Sequence, residues 1–243
     1  MDFYILIFGL CLCALTTSVF LYFRVKRGGV VALLTKAIAS FCFVVFALFL
    51  STTKTQVAYY GSYAITCLIV GLVASLIGDI LLDLKVMYPF HESKFLTGGT
   101  VSFLVAHIFN VSSVLLLANN EISLTEILVP ALIIVGACAI ATLVAWVILT
   151  KAFKFNFKKH TAITCIYTFV LLVLTAITTY LSFKGLTPPL FILTIGFVLF
   201  LVSNVILSAQ YFGKKKEDKT LTVANHICYY LAQMVIAAFI FFI

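Results

Sequence analysis

The sequence predicts an all-α fold, a polytopic transmembrane bundle of about eight helices. Three observations predict it: apolar windows long enough to span a bilayer recur nearly end to end, charge is scarce, and basic residues gather in alternate connections. Hydrophobic residues make up 64% of the 243 and charged residues only 10%, a balance that excludes a water-soluble domain. The net charge of +8 resides in short connections instead of on one face, so it reads as membrane topology and not as a nucleic-acid surface. One transmembrane domain, 1–243, is the simplest organisation.

A helix needs about 20 apolar residues to cross the hydrocarbon layer. The first window runs from Phe3 to Phe23. It carries Asp2 in place of a basic leader, is too long for a secretory signal, and is stopped by Arg24, Lys26 and Arg27, which marks it as a span. Val30 to Leu50 forms the second, and Val57 to Leu84 the third, which is long enough to tilt. Phe95 to Ala118, Ile127 to Leu149, Ala162 to Phe183, Leu190 to Ala209 and Leu221 to Ile243 complete the set. Pro89 falls in a loop, while Pro130, Pro188 and Pro189 fall at helix ends, so no span is expected to be broken by proline. The seven cysteines sit inside apolar runs without a CxxC pair and read as small buried hydrophobes.

Orientation follows from the connections. The odd-numbered loops carry Arg24, Lys26, Arg27, Lys85, Lys94, Lys151, Lys154, Lys158, Lys159, Lys214, Lys215, Lys216 and Lys219; the even-numbered ones carry Lys54 and Lys184. By the positive-inside rule the odd loops are cytosolic and both termini lie on the non-cytosolic side. The expected location is the endoplasmic reticulum or the plasma membrane. The run from Lys214 to Lys219 could attract anionic lipid, but topology alone accounts for it.

Two segments echo each other: Leu76-Ile77-Gly78-Asp79-Ile80-Leu81-Leu82 near the end of the third span and Leu201-Val202-Ser203-Asn204-Val205-Ile206-Leu207 near the end of the seventh. Four spans separate them, so a parallel repeat of helices 1–4 and 5–8 is one reading, and coincidence among Leu, Ile and Val the other. Asp79 and Asn204 then lie at similar depth, near the basic ends of their helices.

Ionisable groups inside spans are costly and face a cavity or a partner. Asp79 is the foremost candidate. Asp83 follows one turn later on the same face, but it borders Lys85 and reads more readily as an interfacial charge than as a site residue. His107, with Asn110 at i+3, lies near the middle of the fourth span, where the alternatives are a site role and a hydrogen-bonded core histidine. In the eighth span, His226, Tyr229 and Gln233 align on one face beside Asn225 and Tyr230, although tyrosines also serve as interface anchors. Gly71, Gly78, Gly98 and Gly99 permit close helix approach. No nucleotide loop, HExxH, GxSxG or metal spacing is present, so no cofactor and no metal is expected.

The order Gly78-Asp79 with Leu81-Leu82, Phe95-Leu96-Thr97-Gly98 with Phe103 and His107, Tyr167, Ser203-Asn204 and Tyr229-Tyr230-Leu231-Ala232-Gln233 resembles the YhhN-type lysoplasmalogenase family. The resemblance rests on that order across helices three to eight; helices one and two add only hydrophobicity. It implies an eight-span membrane hydrolase that cleaves the vinyl ether bond of lysoplasmalogens, giving a fatty aldehyde and glycerophosphoethanolamine or -choline. Its partners would be a lysophospholipid and the bilayer. The family pattern places acidic residues at the positions of both Asp79 and Asn204, and this sequence keeps only the first. Asn110 stands where the pattern has an aromatic residue.

Vinyl ether hydrolysis needs a proton delivered to the alkenyl carbon, an oxocarbenium ion stabilised, and a water directed onto it. Two carboxylates divide those roles naturally, as in glycoside hydrolysis. An asparagine can hydrogen-bond water but cannot exchange a proton. Catalysis is therefore expected of Asp79 and Asn204 with Asp83 or His107, and substrate binding of Asn110, Tyr167, Tyr229 and Gln233. Three functions stand at this level: an active vinyl ether hydrolase, a lipid-binding or regulatory relative that has lost catalysis, and a small transporter built on the parallel repeat.

Overall fold

In the computed structural model, residues 2–53, 59–119, 122–184, 190–213 and 218–243 are described. Among them are eight helices long and apolar enough to cross a membrane, and no strands. They are α1 Asp2–Lys26, α2 Gly29–Thr52, α3 Tyr59–Met87, α4 Glu92–Ala118, α5 Leu124–Lys151, α6 Thr161–Phe183, α7 Leu190–Phe212 and α8 Lys219–Ala238. All expected spans are present, and most extend a turn or so past their apolar windows, because a helix has no reason to end where its side chains turn polar. Lys54, Val57, Pro188, Pro189, Lys214, Lys215 and Lys216 lie outside the described residues.

One expectation is overturned at Pro130. Read from the apolar window, it opens the fifth span; in the structure α5 begins at Leu124, just after Ser123, and Pro130 lies inside the helix. The polar turn Leu124-Thr125-Glu126 is helical as well, so the proline falls in the second turn, where its ring removes one backbone donor.

The placement of helices inverts their polarity. The most apolar span, α5, has only 11% of its membrane window buried, whereas the least apolar, α8, has 67%. Lipid tails solvate Leu132, Ile133 and Ile140 on α5, all more than half exposed, as well as protein would. Polar side chains have no such option and collect at the centre. Helix α8 packs on α7, α1, α2 and α3 and brings Asn225, His226, Tyr229, Tyr230 and Gln233 into the interior. Asp218 starts it, accepting from the Thr220 and Leu221 amides at 2.8 and 3.2 Å, the N-cap that its short polar side chain suits.

The closest pair is α3 and α4, which are adjacent in sequence and joined through the short 3-10 turn Pro89–His91. Glycines set their separation. A Cβ at Gly78 would meet the Phe103 ring at 2.8 Å, and one at Gly99 would meet Leu82 Cδ2 at 2.6 Å and the Gly78 carbonyl at 3.2 Å. With the backbones this near, Ser102 donates to the Ala74 carbonyl at 2.7 Å and Ser113 to the Ala64 carbonyl at 2.8 Å. Small residues and interhelical hydroxyls thus supply the cohesion that hydrophobicity cannot supply inside lipid. Elsewhere in the bundle, Ser203 donates to Asn225 and Gln210 to Thr222, both at 2.8 Å, tying α7 to α8.

This geometry predicts that Gly99→Val, by forcing α3 and α4 apart, costs about 1–3 kcal/mol of stability and lowers the thermal midpoint measured in detergent. Gly136→Ala on the exposed α5, where a Cβ meets nothing within 4 Å, leaves the midpoint unchanged.

Candidate active site

Helix α3 carries two carboxylates one turn apart, Asp79 and Asp83, and both are buried, 2% and 3% exposed. Isolated charges at that depth would be prohibitive. Their compensation comes from the first two helices. Lys36, two turns into α2 and 4% exposed, places its ammonium 3.3 Å from Asp79 Oδ1 and 3.2 Å from Asp83 Oδ1. Arg24, in the last turn of α1, donates to Asp83 Oδ2 at 3.1 Å. Two cations face two carboxylates, so the cluster is neutral overall. The turn that lets α2 double back on α1 passes through Gly28 and Gly29, at φ +64° and +60°, a conformation that glycine adopts without Cβ strain.

The second oxygen of Asp79 is equally engaged. Ser40 donates to Oδ2 at 2.6 Å and Tyr229 donates to it at 2.7 Å. Gln233 donates in turn to the Tyr229 hydroxyl at 3.1 Å, and Tyr230 lies 3.0 Å from Ser40 and donates to the Lys36 carbonyl at 3.3 Å. Asp79, on α3, is thereby held in one orientation by α2 and α8.

Asp79 and Asn204 line the same cavity of about 30 Å³, with Lys36, Ser203, Asn225, His226 and Tyr229 among its other polar residues. That is room for a water or two. Asp79 stands eight residues before the end of α3 at Met87, and Asn204 eight residues before the end of α7 at Phe212, so their expected common depth holds, about 12 Å from each helix end. A second cavity of about 40 Å³ adjoins the first across Leu82, Phe103, Asn204, Leu207 and Tyr211, and adds Tyr167, Thr100 and Thr164.

Asn204 is fixed by its own chain of hydrogen bonds. Its Nδ2 donates to the Phe200 carbonyl at 2.9 Å and its Oδ1 accepts from Tyr167 at 2.9 Å. Since the Tyr167 proton points to Asn204, His107 Nε2, 3.2 Å away, is the donor to the tyrosine oxygen. That fixes the neutral Nε2–H tautomer and leaves His107 Nδ1 without a hydrogen-bond partner. The asparagine retains one N–H and one carbonyl lone pair for the cavity.

Other expected site residues fall elsewhere. Asp83 lines neither cavity; it is not a solvated interfacial charge either, because Lys36 and Arg24 hold it in the interior. His107 contacts the site through Tyr167 instead of lining it. Gln233 supports Tyr229 from behind. Asn110 lines neither cavity: it lies against Gly71 at the α3–α4 seam, where a glycine Cβ would meet its Oδ1 at 2.6 Å, and that oxygen has no hydrogen-bond partner.

Lys36, Arg24, Ser40 and Tyr211 complete the site without being expected there, and His226, which the sequence aligns with Tyr229 and Gln233, joins them. Lys36 carried a usable signal, since a lysine in the body of an apolar span needs a buried counter-ion. His226 lies on the same helical face as Tyr229 and lines the cavity; its Nδ1 donates to the Thr222 carbonyl at 2.7 Å. Ser40 carries no signal of its own.

Removing the ammonium strands two buried carboxylates. Lys36→Met is expected to cost about 3–5 kcal/mol, read as a lower thermal midpoint, and the Lys36→Met, Asp79→Asn double variant to recover part of that loss.

The comparisons with known proteins bear on what this site belongs to. No curated protein and no solved structure shows significant similarity to the chain. A family model, the YhhN family, matches residues 31–240. The matched range begins in α2 and spans the positions of Lys36 and Ser40. From a buried, charge-compensated carboxylate in an eight-helix membrane bundle and a match over most of its length, the conclusion is that this chain belongs to the YhhN family.

Proposed function

We propose that the protein is a lysoplasmalogenase-type membrane hydrolase that cleaves the vinyl ether bond of a lysoplasmalogen. The observation that carries this reading is Asp79, a carboxylate oriented by Ser40, Tyr229 and Lys36 on the wall of a cavity with room for water. It is the one carboxylate on that wall, so acid and base roles fall to it in sequence. In its acid form Asp79 gives a proton to the vinyl carbon remote from the ether oxygen, leaving an oxocarbenium ion at the carbon bonded to oxygen. The resulting carboxylate stabilises that cation. A water, oriented by the free N–H or lone pair of Asn204, adds to the cation and returns a proton to Asp79. The hemiacetal so formed collapses to aldehyde and the glycerol hydroxyl. One molecule of water is consumed and the carboxyl group ends as it began. Sequential use of one carboxyl group removes the need for a second at position 204.

Lys36, Tyr229 and Ser40 keep the carboxyl aimed at the cavity. Purified protein given lysoplasmalogen should release fatty aldehyde, and Asp79→Asn should lower the rate by at least about 10²-fold with the fold intact by thermal midpoint. An unchanged rate in that variant rejects the assignment.

Asn204 itself favours a second reading, a lipid-binding relative without turnover. In that case the wild type releases no aldehyde, and Asn204→Asp, which places a carboxylate opposite Asp79 across the cavity, produces measurable release. Under the hydrolase reading, Asn204→Asp changes an existing rate instead of creating one.

A further inference from the structure

Between the inner cavity and the basic end of the bundle lies a vestibule of about 350 Å³, lined by Arg24, Lys85, Glu92, Gln210, Tyr211 and His226 among others. Leu207, Tyr211 and His226 are shared with the inner cavity, so the two spaces adjoin. Of the two cations in the vestibule, Arg24 is committed to Asp83. Lys85 is not: no described carboxylate forms an ion pair with it, and its ammonium sits 3.0 Å from the centroid of the Tyr211 ring. A cation–π contact places the ammonium without neutralising it. Glu92 is the one carboxylate of this lining. One uncommitted cation and one carboxylate on the wall of a polar chamber are complementary to a zwitterion.

The spacing matches as well. Lys85 follows Asp79 by six residues on α3, about 9 Å along the helix axis. In a lysoplasmalogen six bonds separate the reacting ether carbon from phosphorus, about 7 Å when extended. A substrate whose vinyl ether carbon reaches Asp79 therefore has its phosphate level with Lys85.

Resting on the hydrolase reading above, we infer that the vestibule seats the glycerophospho headgroup of the substrate, with the phosphate on Lys85 and the ammonium of an ethanolamine or choline on Glu92. The glycerol then passes beside Tyr211, which lines both spaces. Lys85 binds and positions substrate; it takes no part in proton transfer.

The test uses ligands that cannot be cleaved at a vinyl ether, so that binding is read apart from turnover. Tritiated 1-O-alkyl-glycerophosphoethanolamine is bound to the full chain in nanodiscs, beside 1-O-alkyl-glycerophosphate and 1-O-alkylglycerol. Wild type should bind the phosphoethanolamine lipid at least about tenfold more tightly than the alkylglycerol, as befits a charge-assisted contact. Lys85→Gln should erase that difference without altering alkylglycerol binding, and Lys85→Arg should preserve most of it. Glu92→Gln should weaken the phosphoethanolamine lipid and leave the alkylglycerophosphate unaffected or tighter. Equal wild-type affinities for phosphorylated and unphosphorylated ligands overturn the inference, and this comparison needs no variant to fold. Full retention of the difference in Lys85→Gln also overturns it. Displacement of the lipid by millimolar inorganic phosphate would make the seat a free-anion site and reject the headgroup assignment. Absence of aldehyde release from wild type, with the Lys85-dependent binding present, rejects the hydrolase while the headgroup seat stands.

Discussion

Two carboxylates one helical turn apart, buried among apolar helices, are the constraint around which this structure is organised. Neither can be left unpaired in a medium where solvation is absent. Lys36 alone satisfies one oxygen of each, and Arg24 completes Asp83. Because those cations reside on α2 and α1, the charge cluster binds the first two helices to α3. The hydroxyls of Ser40 and Tyr229 on Asp79 then draw α2 and α8 onto the same point. Four of the eight helices thus converge on two acidic side chains.

That convergence explains why the least apolar helix is central and the most apolar peripheral. In water the reverse order would hold, since burial follows hydrophobicity. In a bilayer a leucine gains nothing by leaving lipid for protein, whereas an asparagine, histidine or glutamine gains a hydrogen-bond partner. Helix α8 has polar residues along one face and is surrounded; α5 has almost none and packs chiefly on α6. The small residues of α3 and α4 are the complement of this scheme, letting two backbones close so that serine hydroxyls reach carbonyls on the neighbouring helix.

The division of labour between the two carboxylates also follows from position. Asp83 is saturated by two cations and is walled off from the cavity; its part is to hold Arg24 and Lys36 where they are. Asp79 shares one cation with it and keeps a face on the water-sized space opposite Asn204. An asparagine there does not unbalance the charge of the cluster, which is neutral with Lys36 and Arg24 as they stand; a second carboxylate at 204 would add a negative charge to a buried site and would call for a further proton or cation.

The sequence by itself determined the class of fold, the number and approximate limits of the spans, and the common depth of Asp79 and Asn204. These depend on local properties: the run of apolar residues needed to cross lipid, and the rise per residue that converts sequence position into depth. Family resemblance was legible for the same reason, as an ordered set of residues along the chain. Helix limits were read short at α5, where Glu126 and Thr125 are helical yet polar, and Pro130 was misplaced with them. Only the tertiary structure decided which polar residues meet. That Lys36 is the partner of Asp79 and Asp83, that His107 reaches Asn204 through Tyr167, and that Asn110 turns to the α3–α4 seam are consequences of how each helix is rotated about its axis. Rotation is set by the balance of all lateral contacts in a medium that rewards apolar burial little, and no single stretch of sequence encodes it.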